Sequence, residues 1–167
     1  MEFEVNNDTV FQDADHKPMK LSEIVKYIQT EVYSNNKYQY RISIGTDSMT
    51  CRDTVFVLCI VLYKVGRGGV YFYKKFTHPR IENLRTKLYN ETQLSLSTAD
   101  IIIEDILEKD ESLYNKINFS IHLDIGENGP TKDLIRELEG WVTAMGYDYA
   151  IKPDSYAAST IANMHSK

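Results

Sequence analysis

Cysteine is scarce in this chain. Cys51 and Cys59 are the only two among 167 residues, with no CxxC or Cys/His spacing around them. That excludes a disulfide framework and a zinc site, and it suits a reducing cytosol. Long apolar runs are missing as well. The longest, Val55 to Tyr63, is nine residues, against the roughly 20 needed to span a bilayer, so no membrane segment is expected. Met1-Glu2-Phe3-Glu4 lacks the basic and apolar regions of a secretory signal, which again points to the cytoplasm. Positive charge is in deficit: 19 Lys and Arg against 24 Asp and Glu leave a net charge of −5. No global field grips nucleic acid, so any such binding rests on a local patch, or on a partner or homo-oligomer that supplies the missing charge. With four prolines, no repeat and no low-complexity linker, the chain reads as one domain over 1–167, with 1–38 an N-terminal arm plus helix.

What is present is an α/β pattern. Leu21, Ile24, Val25 and Ile28 follow helical spacing, and Ser34-Asn35-Asn36 breaks the helix they predict. Arg41–Ser48, Thr54–Val65 and Val70–Thr77 read as three consecutive strands, the last two joined by the Gly66-Arg67-Gly68-Gly69 turn. The period then changes. Residues from Asn83 to Glu111 predict one long helix or two abutting ones, followed by a strand at Asn118–Ile125 and a helix at Thr131–Met145. A strand at Tyr147–Ile151 and a small-residue helix at Ser155–Met164 complete the chain. Single strands separated by helices pair in parallel through right-handed crossovers. The expected fold is a mixed five-stranded sheet, in the order β-β-β-α-β-α-β-α, flanked by helices.

Strand alternation places two carboxylates together. Ser43, Gly45 and Asp47 share one face of the first strand; Ser120, His122 and Asp124 share one face of the fourth. Both strands end in aspartate at the carboxyl end, where sites form in open α/β sheets. Two adjacent carboxylates repel unless a cation lies between them, and a hard divalent ion with oxygen ligands answers that need. Asp is also an ordinary turn residue at a strand end. Asp154, before the last helix, is equally an N-cap. Glu91 competes with Glu82, Glu104 and Asp105, and spacing alone does not choose among them. For His122, metal ligation, proton transfer and a structural hydrogen bond are all open.

Four motifs then resemble the YkuK-type ribonuclease H-like family. They are Gly45-Thr46-Asp47-Ser48, Tyr89-Asn90-Glu91-Thr92, His122-Leu123-Asp124-Ile125-Gly126 and Lys152-Pro153-Asp154-Ser155; the run from Ala157 to Lys167 resembles that family's ending. The resemblance implies a ribonuclease H-like fold, consistent with the strand and helix order above. It also implies an acidic centre, carried here onto Asp47, Glu91, Asp124 and Asp154. Fold by itself does not establish chemistry.

Lys74 to Lys87 holds five basic residues against Glu82 alone, while Asp100 to Glu111 holds six acids against one lysine. This distribution runs against the helix dipole. Arg80 and Arg85, with Lys152, are therefore candidates for contact with nucleic-acid phosphates, although a solvated surface explains them equally well. The Gly126–Lys132 loop lacks Walker spacing; Gly126 is expected to give room beside Asp124 and Thr131 to cap the next helix. Tyr71 and Tyr73 share a strand face and suit either base stacking or packing. Ser48 points away from Asp47, which disfavours nucleophilic catalysis.

The leading expectation is a nuclease, a phosphodiester hydrolase using Mg²⁺ or Mn²⁺ on RNA or DNA by a two-metal displacement. In it Asp47, Glu91, Asp124 and Asp154 are ligands and His122 a further catalytic candidate. The alternatives are a non-catalytic ribonuclease H-like module that binds nucleic acid or a protein partner, and a nucleotide-binding phosphohydrolase.

Overall fold

Three long strands form the middle of the sheet: β3 (Tyr40–Thr50), β4 (Thr54–Lys64) and β5 (Gly68–His78), paired antiparallel in sequence. The computed structural model describes residues 3–157. β4 lies at the centre of the sheet, which suits its unbroken apolar sequence: Phe56 to Leu62 are all buried. Each such side chain removed from water contributes roughly 1.5–3 kcal/mol. The β4–β5 turn contains Gly66 and Gly68, whose φ of +83° and +92° favour residues without a Cβ.

Beyond β5 the chain enters α2 (Leu84–Lys109), which starts where the Asn83 side chain accepts a hydrogen bond from the Thr86 N–H. The helix crosses the sheet, and after the short α3 (Glu111–Tyr114) the chain returns as β6 (Ile117–His122), parallel to β3. A second crossover through α4 (Ile135–Ala144) brings β7 (Asp148–Ala150) beside β6, again parallel. α1 (Leu21–Ser34) packs Leu21, Ile24, Val25, Ile28 and Val32 into the same core as Ile42, Ile44, Leu58 and Ile60 of the sheet and Leu88, Leu96 and Ile102 of α2. A smaller cluster of Val57, Cys59 and Tyr73 forms separately.

The sheet has seven strands rather than five, in the order β2-β1-β5-β4-β3-β6-β7. The additional pair is a hairpin in the arm, β1 (Val10–Asp13) and β2 (Pro18–Lys20), laid along the β5 edge through Gln12↔Tyr73 and Asp13↔Phe72. Strands of four and three residues offer too few positions for alternation to register. Their turn is fixed by Asp13, whose Oδ1 accepts from the N–H groups of Asp15 and Lys17, both at 2.9 Å.

The α4 region also differs in its start. Thr131 makes no side-chain cap; a 3₁₀ turn at Lys132–Leu134 leads in, and the Thr131 hydroxyl instead accepts from the Gly126 N–H at 3.1 Å. The expected final helix from Ser155 to Met164 lies largely outside the described residues. Among those residues no helix is long and apolar enough to cross a membrane.

Candidate metal centre

Register brings the two aspartates together. Gly45 of β3 pairs with His122 of β6, so Asp47 and Asp124 each lie two residues further along adjacent parallel strands. Past the end of β6 the chain stays extended, held by Leu123 N–H to the Ala150 carbonyl and Lys152 N–H to the Ile125 carbonyl, both 2.8 Å. Asp47 and Asp124 meet just past the last parallel rung; neither ends its strand as expected, since β3 continues to Thr50 and β6 stops at His122.

Glu91 reaches them from α2. It is 6% exposed and shares the buried side of that helix with Leu88, Leu94 and Ser95. Its Oε2 accepts a 2.7 Å hydrogen bond from Ser48 Oγ, and one turn further Ser95 Oγ lies 2.8 Å from Thr46 Oγ1. Thr46 and Ser48 occupy the helix side of β3 and Asp47 the other, yet the Ser48 N–H also bonds Asp47 Oδ1 at 2.8 Å. Ser48 therefore links two of the acids. In the sequence its only signal is adjacency to Asp47. Asp47, Glu91 and Asp124 each bring one ligand oxygen within 4.8 Å of the others.

The acids are in a costly environment. Burial and the hydrogen-bonded, like-charged Asp124 push Asp47 up to about 8. Burial, then Asp47, raises Glu91 well above the usual carboxylate range despite the Ser48 bond. Lys152 Nζ stands 3.1 Å from Asp124 Oδ1 and supplies partial compensation. That oxygen is nevertheless buried without a hydrogen-bond donor, because the ammonium is close but not aligned for one. A hard divalent cation suits this all-oxygen set: it would occupy the donor-less oxygen and relieve the repulsion.

Gly126 gives room, but to Lys152 rather than directly to Asp124. A Cβ at Gly126 would meet the Lys152 Cβ at 3.2 Å. Asp154 is not brought into the cluster; it is exposed in the turn after β7, its N–H bonded to the Ile151 carbonyl at 2.8 Å. His122 is buried beneath the site. Its Nδ1 accepts the Ala157 N–H at 3.1 Å, and its ring stands edge-on to Tyr156 at 4.6 Å. Burial lowers it to about 4, so near neutrality it is uncharged, with its proton on Nε2.

Arg85 joins Glu137 at 2.6 Å, tying α2 to α4, while Tyr89 donates to the same carboxylate and stacks on Trp141 at 5.3 Å. Arg80 bonds Glu82 at 2.8 Å and the Cys51 carbonyl. Both arginines are thus engaged within the chain, but their exposure leaves these contacts weak enough to exchange.

The contrast between two glutamates of α2 gives a direct test of the cluster. Glu91→Gln keeps the shape and the Ser48 contact but removes charge, and should weaken Mn²⁺ binding about tenfold or more. Glu104 is exposed on the same helix, and Glu104→Gln should leave binding unchanged. Calorimetric titration of the two variants reads the difference; equal affinities would remove Glu91 from the site.

Residues 23–167 match the family described as Ribonuclease H-like. The chain is 35% identical over 167 residues to the uncharacterized protein YkuK of Bacillus subtilis (strain 168), covering 95% of this chain and 97% of that protein. No solved structure matches significantly. With a match across most of its length and a relative aligned nearly end to end, this chain belongs to the YkuK-type ribonuclease H-like family.

Proposed function

We propose that the chain is a divalent-metal-dependent phosphodiester hydrolase of the cytoplasm, acting on RNA or DNA. The observation that carries this reading is the gathering of Asp47, Glu91 and Asp124, with ligand oxygens within 4.8 Å, just past the last parallel rung of two adjacent strands. Mg²⁺ or Mn²⁺ bound there would supply Lewis-acid charge to activate water and offset the negative charge of the leaving oxygen.

The remaining work belongs to the protein. Asp47 and Asp124 would hold the ion from two neighbouring strands whose register is fixed by the sheet. Glu91 closes the site from the helix side, and Ser48 fixes its carboxylate. Lys152 neutralises Asp124 and, being half-exposed, is free to turn its ammonium toward a substrate phosphate. In the two-ion form of this reading Asp154, which stands outside the cluster, would have to move in to provide a fourth carboxylate from the segment after Lys152. His122 anchors that segment through the Ala157 N–H and acts as a positioning residue. Arg80 and Arg85, released from Glu82 and Glu137, would meet the phosphate backbone.

A second reading, a non-catalytic module that binds nucleic acid or a protein partner, is favoured by one observation. Lys152 already gives Asp124 a counter-charge, and Asp154 stands outside the cluster. Single-stranded RNA, DNA and an RNA–DNA hybrid incubated with the chain and Mn²⁺ separate the two. Cleavage that EDTA abolishes is expected. Binding of a strand without cleavage, under every metal condition, would favour the second reading.

A further inference from the structure

The opposite end of the sheet carries a second concentration of charge. Tyr40 opens β3 seven residues before Asp47, a separation of about 23 Å at the usual strand rise. There α1 and the β4–β5 turn border a cavity of about 290 Å³, with Tyr27, Tyr38, Tyr40, Lys64 and Arg67 in its wall.

Three cations converge on one ring. Lys64 Nζ lies 4.7 Å from the Tyr38 centroid, Lys37 Nζ 5.3 Å and the Arg67 guanidinium 5.5 Å. Arg67 sits between Gly66 and Gly68, whose positive φ values shape the turn that folds it back over Tyr38. Glu31 faces the group, 3.2 Å from Lys64 Nζ. An aromatic face attracts one cation readily. Three around a single ring repel one another, and Glu31 neutralises only one of them. In a chain of net charge −5, such a local excess of positive charge is a place for an anion.

Beside the cations the wall turns apolar. Val70 is 41% and Tyr27 38% exposed, and both also border an adjoining cavity of about 270 Å³ whose wall holds Met19 and Phe72 together with Asp13 and Asp15. The Tyr27 ring is steadied edge-on by Phe72 at 6.0 Å. A fixed aromatic surface next to cations that Glu31 only partly neutralises matches a flat ring joined to a phosphate.

We propose that this cavity binds a nucleoside phosphate, with Lys64 and Arg67 receiving the phosphate and the Tyr27 and Tyr38 side taking the base. The site shares no residue with the carboxylate cluster and stands whether or not that cluster is catalytic.

Calorimetric titration of the full chain with adenosine 5′-monophosphate tests it, in EDTA so that the carboxylates hold no metal. Saturable binding is expected, weakened about tenfold or more by Arg67→Met and by Lys64→Met, and unchanged by Asp47→Asn. Adenosine alone and inorganic phosphate alone should each bind about tenfold more weakly than the nucleotide, since each engages half of the site. A short 5′-phosphorylated oligonucleotide that competes equally would assign the ligand to a strand end; failure to compete would assign it to a free nucleotide. Lys64 also holds Glu31, so thermal melting accompanies that variant, and exposed Arg67 carries the test alone if Lys64→Met does not fold. No saturable binding, or binding that Arg67→Met leaves unchanged, overturns the proposal.

Discussion

The Asp47→Asn protein is expected to lose the rise in melting temperature that Mg²⁺ or Mn²⁺ gives the native chain. A ligand that binds only the folded state at a hundredfold excess over its Kd stabilises by about 2.7 kcal/mol. That whole increment depends on the ion finding its ligands. Asp47 stands between Asp124, on the neighbouring strand, and Ser48, which binds Glu91. Its loss therefore removes one carboxylate and unsettles the link to another. Hydrolysis should fall by at least about a hundredfold, beyond the effect of disturbing a residue that only supports a ligand. Without metal the same variant should be no less stable than the native chain, since asparagine keeps the shape and is neutral without having to hold a buried proton. Melting curves with and without Mn²⁺ read both effects. Equal metal-induced shifts in the two proteins would count against the site.

The metal-free chain should also lose stability as the pH rises from about 4 to about 8. Asp47 moves from an ordinary value of 3.8 to about 8 on folding. Across that window the folded protein keeps a proton that the unfolded chain has released, so the stabilisation present below the lower value is lost as the pH climbs through the higher one. Glu91, raised for the same reason, acts in the same direction. Denaturant unfolding in EDTA at about pH 5 and about pH 8 measures the slope, and subtraction of the Asp47→Asn slope isolates the site from other acids. Mn²⁺ should favour the ionised carboxylates and flatten the native slope. Parallel slopes in native and variant proteins would mean that Asp47 is not held protonated by its surroundings.

The path from sequence to this site was uneven, for physical reasons. Side-chain alternation is a property of extended backbone, so the companions of Asp47 and of Asp124 on their own strands could be read directly, whereas their common face rests on the register Gly45↔His122. Their adjacency needed only the right-handed crossover through α2. Spacing did not choose Glu91 among its acidic neighbours; the motif Tyr89-Asn90-Glu91-Thr92 pointed to it, and in the folded chain it lies buried beside Leu88, Leu94 and Ser95. Other contacts left no local trace. Lys152 reaches Asp124 because Gly126 leaves space for its stem, and Arg85 meets a glutamate 52 positions away. The β1–β2 hairpin escaped because its short strands are stabilised by the β5 edge rather than by a pattern of their own. Ser48 was legible in direction but not in purpose, which needs the helix on the far side.

The claim on which the function rests is that Asp47, Glu91 and Asp124 form one metal centre. A crystal of the chain soaked in Mn²⁺, with anomalous diffraction measured at the manganese edge, tests it most directly. An anomalous peak within coordination distance of all three carboxylates is the expected result, and a second peak shared with Asp154 would establish the two-ion form. Fully occupied manganese elsewhere in the crystal, with no peak among these three carboxylates, would contradict it.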